Sequence, residues 1–295
     1  MHSLKNPCAL VCPPVHFGVR YAINPQMVKT FSGEGEPVNM DKVFQQWAGL
    51  VHFLARAGAD LRFLPPHPAF PDMVFTANAG FVHADTLFLS RFRHKERRDE
   101  SAVVHKYFAK RLEIPVHVLP EFFCDVDNEY HPIFFEGQGD VARYGKILVC
   151  GYGIRSNFYG IDVLCREALS VDGTHTVCLE LVDEHFYHLD TCFCPMGNDI
   201  LWYPQAFSPE AQEKVHALVH KANGHLISAS AEDAHRLACN GLYLEPREGH
   251  RVLITSPLST ELHVQLERLG IRVWQNDVSE FLKSGGGNRC LVLLF

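Results

Sequence analysis

Residues 41–64 read DKVFQQWAGLVHFLARAGADLRFL and show most clearly the helix-then-strand order on which the fold prediction rests. The first part of this stretch predicts a helix over residues 41–57, because apolar side chains recur three or four positions apart on one face. Those side chains are Val43, Trp47, Leu50, Val51 and Leu54. Gly58 ends the helix, and the apolar run 61–64 predicts a strand directly after it.

The same helix-then-strand order returns four times along the chain. The further pairs are residues 100–112 with 115–119, 157–170 with 176–182, 209–222 with 226–228, and 260–269 with 271–274. After each strand a polar loop leads to another apolar run, and these runs begin near residues 78–82, 136–141, 188–193, 240–244 and 290–295. Five units of roughly 50 to 60 residues are typical of repeat architectures. If the units close into a ring, their equivalent polar residues converge on one axis.

Two α/β architectures fit this element order. A doubly wound sheet also alternates helices and strands. We favour a ring of repeats, because each helix is accompanied by more than one strand-like run. No linker rich in proline, glycine or serine divides the chain, so we expect one domain over residues 1–295.

Composition excludes several function classes. The formal net charge of −7 argues against a nucleic-acid backbone as partner. No apolar run approaches the roughly 20 residues that a membrane span needs, and the run at 8–12 is too short for a signal peptide. The 10 cysteines show no regular spacing, which favours reduced thiols and a cytoplasmic protein. The sequence allows a homo-oligomer without requiring one.

Cys290 is the first candidate reactive residue. It follows Ser284-Gly285-Gly286-Gly287-Asn288-Arg289 and precedes an apolar run that predicts a strand. Glycines permit backbone conformations closed to other residues, so such a loop can present a side chain close to a ligand. The alternative is that Cys290 is a small buried hydrophobe, as many cysteines are.

His188 and Asp190 form the second candidate. In an extended segment residues two apart point to the same side, so we expect the imidazole and the carboxylate to face one site. A histidine beside a carboxylate is suited to general acid and base catalysis. Most of the 18 histidines must nevertheless be structural or surface residues.

Two further motifs carry polar groups. Glu136 and Asp140 bracket a glycine-containing turn, and a carboxylate can bind a planar guanidinium through both oxygens. A glycosidase could also use two carboxylates, and a surface turn explains the motif as well. Asp72 and Asn78 flank an apolar segment, where both residue types are common turn formers.

Neither a metal nor a cofactor is predicted. His188, Cys192 and Cys194 are close in sequence, but no second pair has zinc spacing. A phosphate-binding loop needs Gly-Lys-Ser/Thr, and a dinucleotide fingerprint opens a helix. The run Gly285 to Gly287 leads toward a strand instead.

Taken together, the motifs resemble the guanidino-group-modifying superfamily of arginine deiminases, dimethylarginine dimethylaminohydrolases, amidinotransferases and arginine dihydrolases. The resemblance covers residue 24 to the C-terminus and rests on residues 71–80 (PDMVFTANAG), 136–140 (EGQGD), 188–190 (HLD) and 285–290 (GGGNRC). It implies an α/β fold, the five-bladed α/β propeller or pentein fold with pseudo-fivefold repeats. It also implies arginine or a derivative as the small-molecule substrate.

The resemblance further implies a role for each motif residue. Cys290 would be the nucleophile and His188 the general acid and base, while Glu136 and Asp190 would hold the substrate guanidinium. Attack would give a covalent thiouronium intermediate that water resolves. Asp140 would belong to the substrate-binding set.

Residues of the amino-acid end follow from the same resemblance. Arg97 and Arg155 resemble the arginines that clamp a substrate α-carboxylate, with Arg91, Arg93 and Arg98 as rivals for the first role. Asn24 resembles a substrate-binding asparagine.

Asn78 decides among the activities of the superfamily. Deiminases and dimethylargininases usually have an aspartate there, whereas Asn78 in its Thr-Ala-Asn-Ala context resembles arginine dihydrolases. These hydrolyse twice and release ornithine. A deiminase, a dimethylaminohydrolase, an amidinotransferase and an arginine-binding protein without activity remain as alternatives.

Overall fold

The computed structural model describes residues 7–247 and 250–295. The strands are β1 Cys8–Val11, β2 Asp60–Phe63, β3 Gly80–His83, β4 Thr86–Leu89, β5 Val116–Val118, β6 Phe122–Cys124, β7 Tyr130–Pro132, β8 Val141–Tyr144, β9 Ile147–Tyr152, β10 His175–Glu180, β11 Phe193–Met196, β12 Asp199–Trp202, β13 Leu226–Ser228, β14 Leu242–Arg247, β15 His250–Thr255, β16 Ile271–Gln275 and β17 Leu293–Leu294. The α-helices are α1 Pro25–Phe31, α2 Met40–Arg56, α3 Lys95–Arg98, α4 Glu100–Tyr107, α5 Phe158–Asp172, α6 Leu189–Cys192, α7 Pro209–Ala222, α8 Ala231–His235, α9 Thr260–Arg268 and α10 Ser279–Leu282.

Five three-stranded sheets share one connectivity. In each sheet the middle strand pairs antiparallel with an inner strand and parallel with an outer one. In the second sheet, for example, Phe88 of β4 faces Phe81 of β3 and His117 of β5. The parallel step needs a long crossover, and a helix supplies it in every sheet. The five helix-then-strand units and the five-bladed α/β propeller predicted from the sequence are thus confirmed.

The two ends of the described chain complete the first sheet. Its inner strand is β17, which pairs antiparallel with β1 so that Ala9 faces Leu294. Cys8 and Phe295 also exchange both backbone hydrogen bonds, at 2.8 and 2.9 Å. This pairing closes the ring and places the segment that carries Cys290 beside the inner strands of the other sheets.

Local chemistry explains where the main helices begin and end. The side chain of Asn39 accepts a hydrogen bond from the Lys42 amide at the start of α2, and Ser208 caps α7 in the same way. Helix α7 ends at Asn223, which adopts the left-handed conformation (φ 51°). Polar caps of this kind are visible in the sequence, which is why the predicted 209–222 helix matches the observed one.

Two predicted elements differ in detail, and one observed element was not predicted. The helix predicted over 100–112 stops at Tyr107 and continues as a wider π-helical turn, Phe108–Leu112, before Glu113 turns left-handed (φ 56°). The strand predicted directly after Cys290 is only Leu293–Leu294, because residues 288–291 form a turn. The hairpin of β6 and β7 was not predicted at all.

The hydrophobic core lies between each sheet and its helix. Leu50 and Leu54 of α2, for instance, belong to one buried cluster with Ala9 and Val11 of β1. Within the described ranges no helix is both long enough and apolar enough to span a membrane. The predicted single domain over residues 1–295 stays a prediction, and residues 1–6, 248 and 249 lie outside the described part.

Candidate active site

A small cavity lies where the segments before the inner strands converge. Six of the nine residues predicted from the sequence line it, namely Asn24, Asn78, Arg97, Arg155, His188 and Cys290. The other three, Glu136, Asp140 and Asp190, are buried behind this wall. A wider hollow toward the surface shares Ile23, Asn24, Arg155 and Tyr187 with the cavity, so it is the natural approach to the site.

Cys290 is buried and held by two neighbours. Its thiol lies 3.3 Å from Asp190 Oδ2, to which it donates, and the Asn240 amide donates to its sulfur at 3.1 Å. Burial raises the pKa of the Cys290 thiol well above its ordinary value, and the negative charge of Asp190 raises it further. Both effects favour the protonated thiol over the thiolate.

The glycines before Cys290 allow other segments to approach closely. Gly285 has φ 86°, a conformation that side chains disfavour. A Cβ atom at Gly285 would lie 2.5 Å from the hydroxyl oxygen of Tyr187, which donates to the Gly285 carbonyl at 2.8 Å. The glycine run is thus required by the packing of the nucleophile segment against the cavity wall.

His188 is paired with a fully buried carboxylate. Its Nε2 lies 2.8 Å from Glu136 Oε2, and the same oxygen accepts from Arg155 Nη1 at 3.1 Å. Glu136 Oε1 accepts from the backbone amide of Arg93 at 3.2 Å. Burial alone would raise the pKa of Glu136, but the charge of Arg155 and the hydrogen bond from His188 hold it well below its usual range. Glu136 is therefore ionised and orients the imidazole.

Asp140 supports this pair from behind. Its Oδ2 accepts from the Ser156 hydroxyl at 2.5 Å, and its Oδ1 accepts from the Leu189 amide at 3.0 Å. Burial raises the pKa of Asp140 to about 6. Because both oxygens are bonded to the protein and Asp140 does not line the cavity, the geometry favours a supporting position over substrate contact.

The extended geometry predicted for His188 and Asp190 is wrong. His188 is extended (φ −122°, ψ 151°), but Leu189–Cys192 is a helical turn. The turn separates the two side chains, so that His188 faces Glu136 while Asp190 faces Cys290. Both still lie at the site, because the turn is short and both are buried.

Arg97 holds Asn78 in the cavity wall. Its Nε and Nη2 bind both carboxylate oxygens of Glu100, at 3.0 and 2.9 Å, and its Nη1 donates to Asn78 Oδ1 at 2.9 Å. The amide nitrogen of Asn78 is buried and has no hydrogen-bond partner among the described residues. The side-chain amide is thus fixed with its N–H donors still to be used.

The other candidate arginines differ in their positions relative to the cavity. Arg155 lies at the border of the cavity and the outer hollow, with Nη2 donating to the Ile23 carbonyl at 3.1 Å. Arg91 pairs with the exposed Glu121. Arg97 lines the cavity and the rivals Arg91, Arg93 and Arg98 do not, although Arg93 lines the outer hollow. The role predicted for Arg97 at a substrate α-carboxylate stays a prediction.

Asn24 ties the N-terminal segment to the site. Its Oδ1 caps α1 by accepting from the Met27 amide at 2.8 Å, and its Nδ2 donates to the Ser284 carbonyl at 3.0 Å and the Tyr187 hydroxyl at 3.4 Å. Asn24 therefore lies in the cavity wall with its polar atoms bonded to the protein, and its predicted contact with a substrate stays a prediction.

Sequence reasoning missed two residues. Asn240 contacts the sulfur of Cys290 and was omitted, although it occupies the same place before its inner strand as Asn78 does. Asp72 lines the cavity, where it accepts from the Tyr21 hydroxyl at 2.9 Å. Both residue types are ordinary turn formers, so only their position in the repeat distinguishes them.

The residues considered for a metal point to separate partners. His188 faces Glu136, while the thiols of Cys192 and Cys194 donate to the carbonyls of Leu189 and Gly241. A group of three potential ligands in the described ranges, Asp125, Glu129 and His131, lies instead on the β6–β7 hairpin.

Comparison with known proteins gives a consistent picture. Residues 13–294 match the family model described as N,N dimethylarginine dimethylhydrolase, eukaryotic. The chain is 36% identical over 287 residues to the bifunctional arginine dihydrolase/ornithine cyclodeaminase AgrE of Nostoc sp., which covers 96% of this chain but 37% of that protein. It is 34% identical to the N(G),N(G)-dimethylarginine dimethylaminohydrolase of Mycobacterium tuberculosis, over 95% of this chain and 83% of the relative.

Solved structures agree. The N-terminal domain of the cyanobacterial arginine dihydrolase ArgZ, bound to its substrate, is similar with a TM-score of 0.85 and 33% identity, over 98% of both chains. A variant of the same domain, covalently bonded to a reaction intermediate, has a TM-score of 0.84 and 33% identity, over 98% of this chain and 97% of that one.

Proposed function

The chain belongs to the N,N dimethylarginine dimethylhydrolase family, and from that premise we propose that it is an arginine dihydrolase acting through a covalent adduct on Cys290. The observation that carries the proposal is the placement of a buried thiol between Asp190 and Asn240, in one cavity with the His188–Glu136 pair. Such an arrangement supplies a nucleophile and an oriented acid/base for attack on the guanidinium carbon.

The substrate activates its own nucleophile in this mechanism. A guanidinium is a permanent cation with five N–H donors, and carboxylates bind it readily. Near Cys290 it would offset the charge of Asp190, so the raised pKa of the thiol falls and the thiol proton passes to His188, which lines the same cavity. The thiolate then attacks the guanidinium carbon to form a tetrahedral adduct.

His188 then moves two protons. It donates one to the departing nitrogen, which leaves as ammonia, and a thiouronium remains on Cys290. Next it accepts a proton from the water that attacks the thiouronium carbon, and the C–S bond breaks to release citrulline. Glu136 keeps the imidazole oriented through both steps.

Asn78 is the basis for a second round. Citrulline presents a neutral ureido group, whose carbonyl oxygen needs a hydrogen-bond donor. The Asn78 amide nitrogen is such a donor, fixed by the bond from Arg97 to its oxygen. A second attack by Cys290 expels another ammonia, and hydrolysis leaves a carbamate that loses carbon dioxide to give ornithine. The sum consumes two waters per arginine and balances as ornithine, two ammonia and carbon dioxide.

We assign the α-carboxylate of the substrate to Arg155. This guanidinium lies where the cavity meets the outer hollow, so a substrate that enters from the hollow keeps its amino-acid end there. Arg97 instead makes a bidentate pair with Glu100 and fixes Asn78. Asn24, at the same border, would contact the α-amino end.

Product analysis tests the proposal. Purified protein incubated with arginine is expected to release ornithine and about two ammonia per turnover, and Cys290→Ser is expected to abolish the reaction. Cys194→Ser, which changes another buried thiol bonded to a carbonyl, is the matched control and should remain active. If the arginine stays unchanged although the protein is shown to be folded, the proposal is contradicted.

Asn78→Asp separates one round from two. An ionised aspartate accepts hydrogen bonds but cannot donate to a ureido oxygen, so citrulline should accumulate at least about tenfold over the wild type. Mass spectrometry of the products measures this ratio. An Asn78→Asp variant that still makes only ornithine would remove the role proposed for the amide.

A second candidate is hydrolysis of dimethylarginine, which the family model and the mycobacterial relative favour. The same thiol chemistry would then release dimethylamine and citrulline. Parallel incubation with arginine and with asymmetric dimethylarginine distinguishes the two, because only one of them is expected to be consumed efficiently.

A further inference from the structure

Asn240 lies just before the inner strand of the fifth sheet, β14–β15–β16. It lies two residues before the inner strand β14, as Asn78 lies two residues before β3. In the first sheet, Cys290 precedes β17 in a similar place. The repeat therefore brings an asparagine of the fifth sheet, β14–β15–β16, against Cys290 of the first.

The side chain of Asn240 is fully buried and bonded at both ends. Its Nδ2 donates to Cys290 Sγ at 3.1 Å and to the Asp190 carbonyl at 2.9 Å. Its Oδ1 accepts from the backbone amides of Arg289 at 2.9 Å and Cys290 at 3.3 Å. One amide thus holds the backbone of the nucleophile segment and touches its sulfur.

The glycine run fits this amide closely. A Cβ atom at Gly287 would lie 2.7 Å from Asn240 Oδ1, which a side chain could not tolerate without a shift. The backbone of Asn240 also accepts from the Arg289 amide at 3.2 Å. The nucleophile loop is therefore shaped around Asn240.

We infer that Asn240 is the positioning residue of the nucleophile: its amide aims the Cys290 sulfur into the cavity and donates an N–H to the thiolate. This inference rests on the proposed role of Cys290. Hydrogen bonds to a charged acceptor are stronger than those to a neutral one, so the contact strengthens as the thiol loses its proton. The two bonds to Oδ1 keep the amide from rotating away.

The groups around the sulfur make this contact important. Asp190 faces the sulfur with a negative charge that opposes the thiolate. Arg289, on the nucleophile segment, and Tyr187 and His188, from the facing wall, are further titratable groups nearby. Asp72, Arg97 and Arg155 line the same cavity. Asn240 supplies an uncharged N–H donor that favours the thiolate.

Asn240 does not line the substrate cavity, so its removal should leave substrate affinity largely intact. We expect kcat to fall by about 10- to 100-fold in Asn240→Ser while the KM for arginine changes less than about threefold. A residue with a merely structural role would not produce this split.

The decisive experiment is alkylation of Cys290 by iodoacetamide, followed across pH by peptide mass spectrometry. The rate reports the thiolate fraction and needs no substrate. In Asn240→Asp a carboxylate replaces the N–H donor with almost unchanged size, and alkylation at about pH 9 should slow at least tenfold. Asn240→Ser, which removes the amide N–H that donates to the sulfur without adding a charge, should slow alkylation by a smaller factor.

Asn276→Ser is the matched control, because it removes another buried amide that bonds Gln46 and Asn288 and not the sulfur. Its alkylation profile should equal that of the wild type. Thermal unfolding establishes that each variant is folded, and Asn240→Ser decides the matter if Asn240→Asp does not fold. A wild-type profile in folded Asn240→Ser overturns the inference. If the protein fails to consume arginine but the profile shifts, the proposed function fails while the role of Asn240 stands.

Discussion

The two sides of the cavity differ in how many of their polar atoms are already hydrogen-bonded. After their proposed roles, the side of His188 is called the acid/base side and the side of Cys290 the nucleophile side. On the acid/base side, both oxygens of Glu136 and both oxygens of Asp140 have protein partners. On the nucleophile side, Asp190 Oδ1 and Asn78 Nδ2 are buried without a partner among the described residues. The acid/base side is thus assembled in advance, whereas the nucleophile side is not.

This difference indicates where a ligand completes the site. Leaving a buried donor or acceptor unpaired costs about 1–3 kcal/mol, so such groups persist where function requires them. The first of these atoms, Asp190 Oδ1, is a carboxylate acceptor, and the second, Asn78 Nδ2, is an amide donor. A guanidinium satisfies the first and a ureido oxygen satisfies the second, which is the order of events in the proposed double hydrolysis.

The largest effect is expected on the assembled side, from Glu136→Gln. The substitution removes the charge that orients His188 and pairs with Arg155, so kcat should fall about 10²- to 10³-fold. Steady-state kinetics with arginine measures the change. Glu121→Gln, at the exposed partner of Arg91, is the control and should keep full activity. A loss of less than about threefold in Glu136→Gln would show that the pair is not needed.

A two-directional effect is expected on the other side, from Asp190→Asn. Burial and then the Asp190 charge raise the pKa of the Cys290 thiol, so removing the charge lowers that pKa. At a fixed pH below the pKa, the thiolate fraction grows tenfold for each unit by which the pKa falls. Alkylation of the free enzyme at about pH 9 should therefore accelerate at least tenfold.

Turnover should move the opposite way in the same variant. Without a carboxylate beside the sulfur the guanidinium binds less well, and kcat/KM should fall about 100-fold. Asp183→Asn, at a half-buried aspartate that caps the turn before His188, is the control for both measurements. If alkylation and turnover both rise or both fall, Asp190 does not have separate effects on the thiol pKa and on binding of the guanidinium.

The smallest effect is expected from Ser156→Ala. Ser156 donates to Asp140 and accepts from the backbone amide of Glu136, so it acts on the catalytic pair only through their support. We expect kcat to fall about three- to tenfold, with the alkylation rate of Cys290 unchanged. A loss as large as that of Glu136→Gln would mean that the acid/base side is far less rigid than its hydrogen bonds indicate.

Much of the fold was predictable from the sequence, because the repeat appears in element order. The helix at 209–222 was placed correctly since Ser208, Pro209 and Asn223 mark its ends. The break after Tyr107 was not, because nothing in the local pattern distinguishes a widened turn from a continuous helix. Tertiary packing decides such features.

The candidate site was predictable in its members more than in its geometry. The partners that distinguish Glu136 from Asp140 are Arg155 and Ser156, which lie on a later loop, so the motif alone could not separate their positions. The turn after His188 depends on the bond from Leu189 to Asp140, another contact between distant segments. Asn240 has no motif of its own, and only its place in the repeat identifies it.

Trapping the covalent adduct tests most directly whether Cys290 attacks the guanidinium carbon of arginine. Wild-type protein mixed with excess arginine, stopped by acid during turnover and digested, is expected to yield a Cys290 peptide heavier by arginine less one ammonia. Cys290→Ser should yield no such peptide. Consumption of arginine with Cys290 unmodified at every time point, or an adduct on another cysteine, would contradict the central claim that Cys290 attacks the guanidinium carbon.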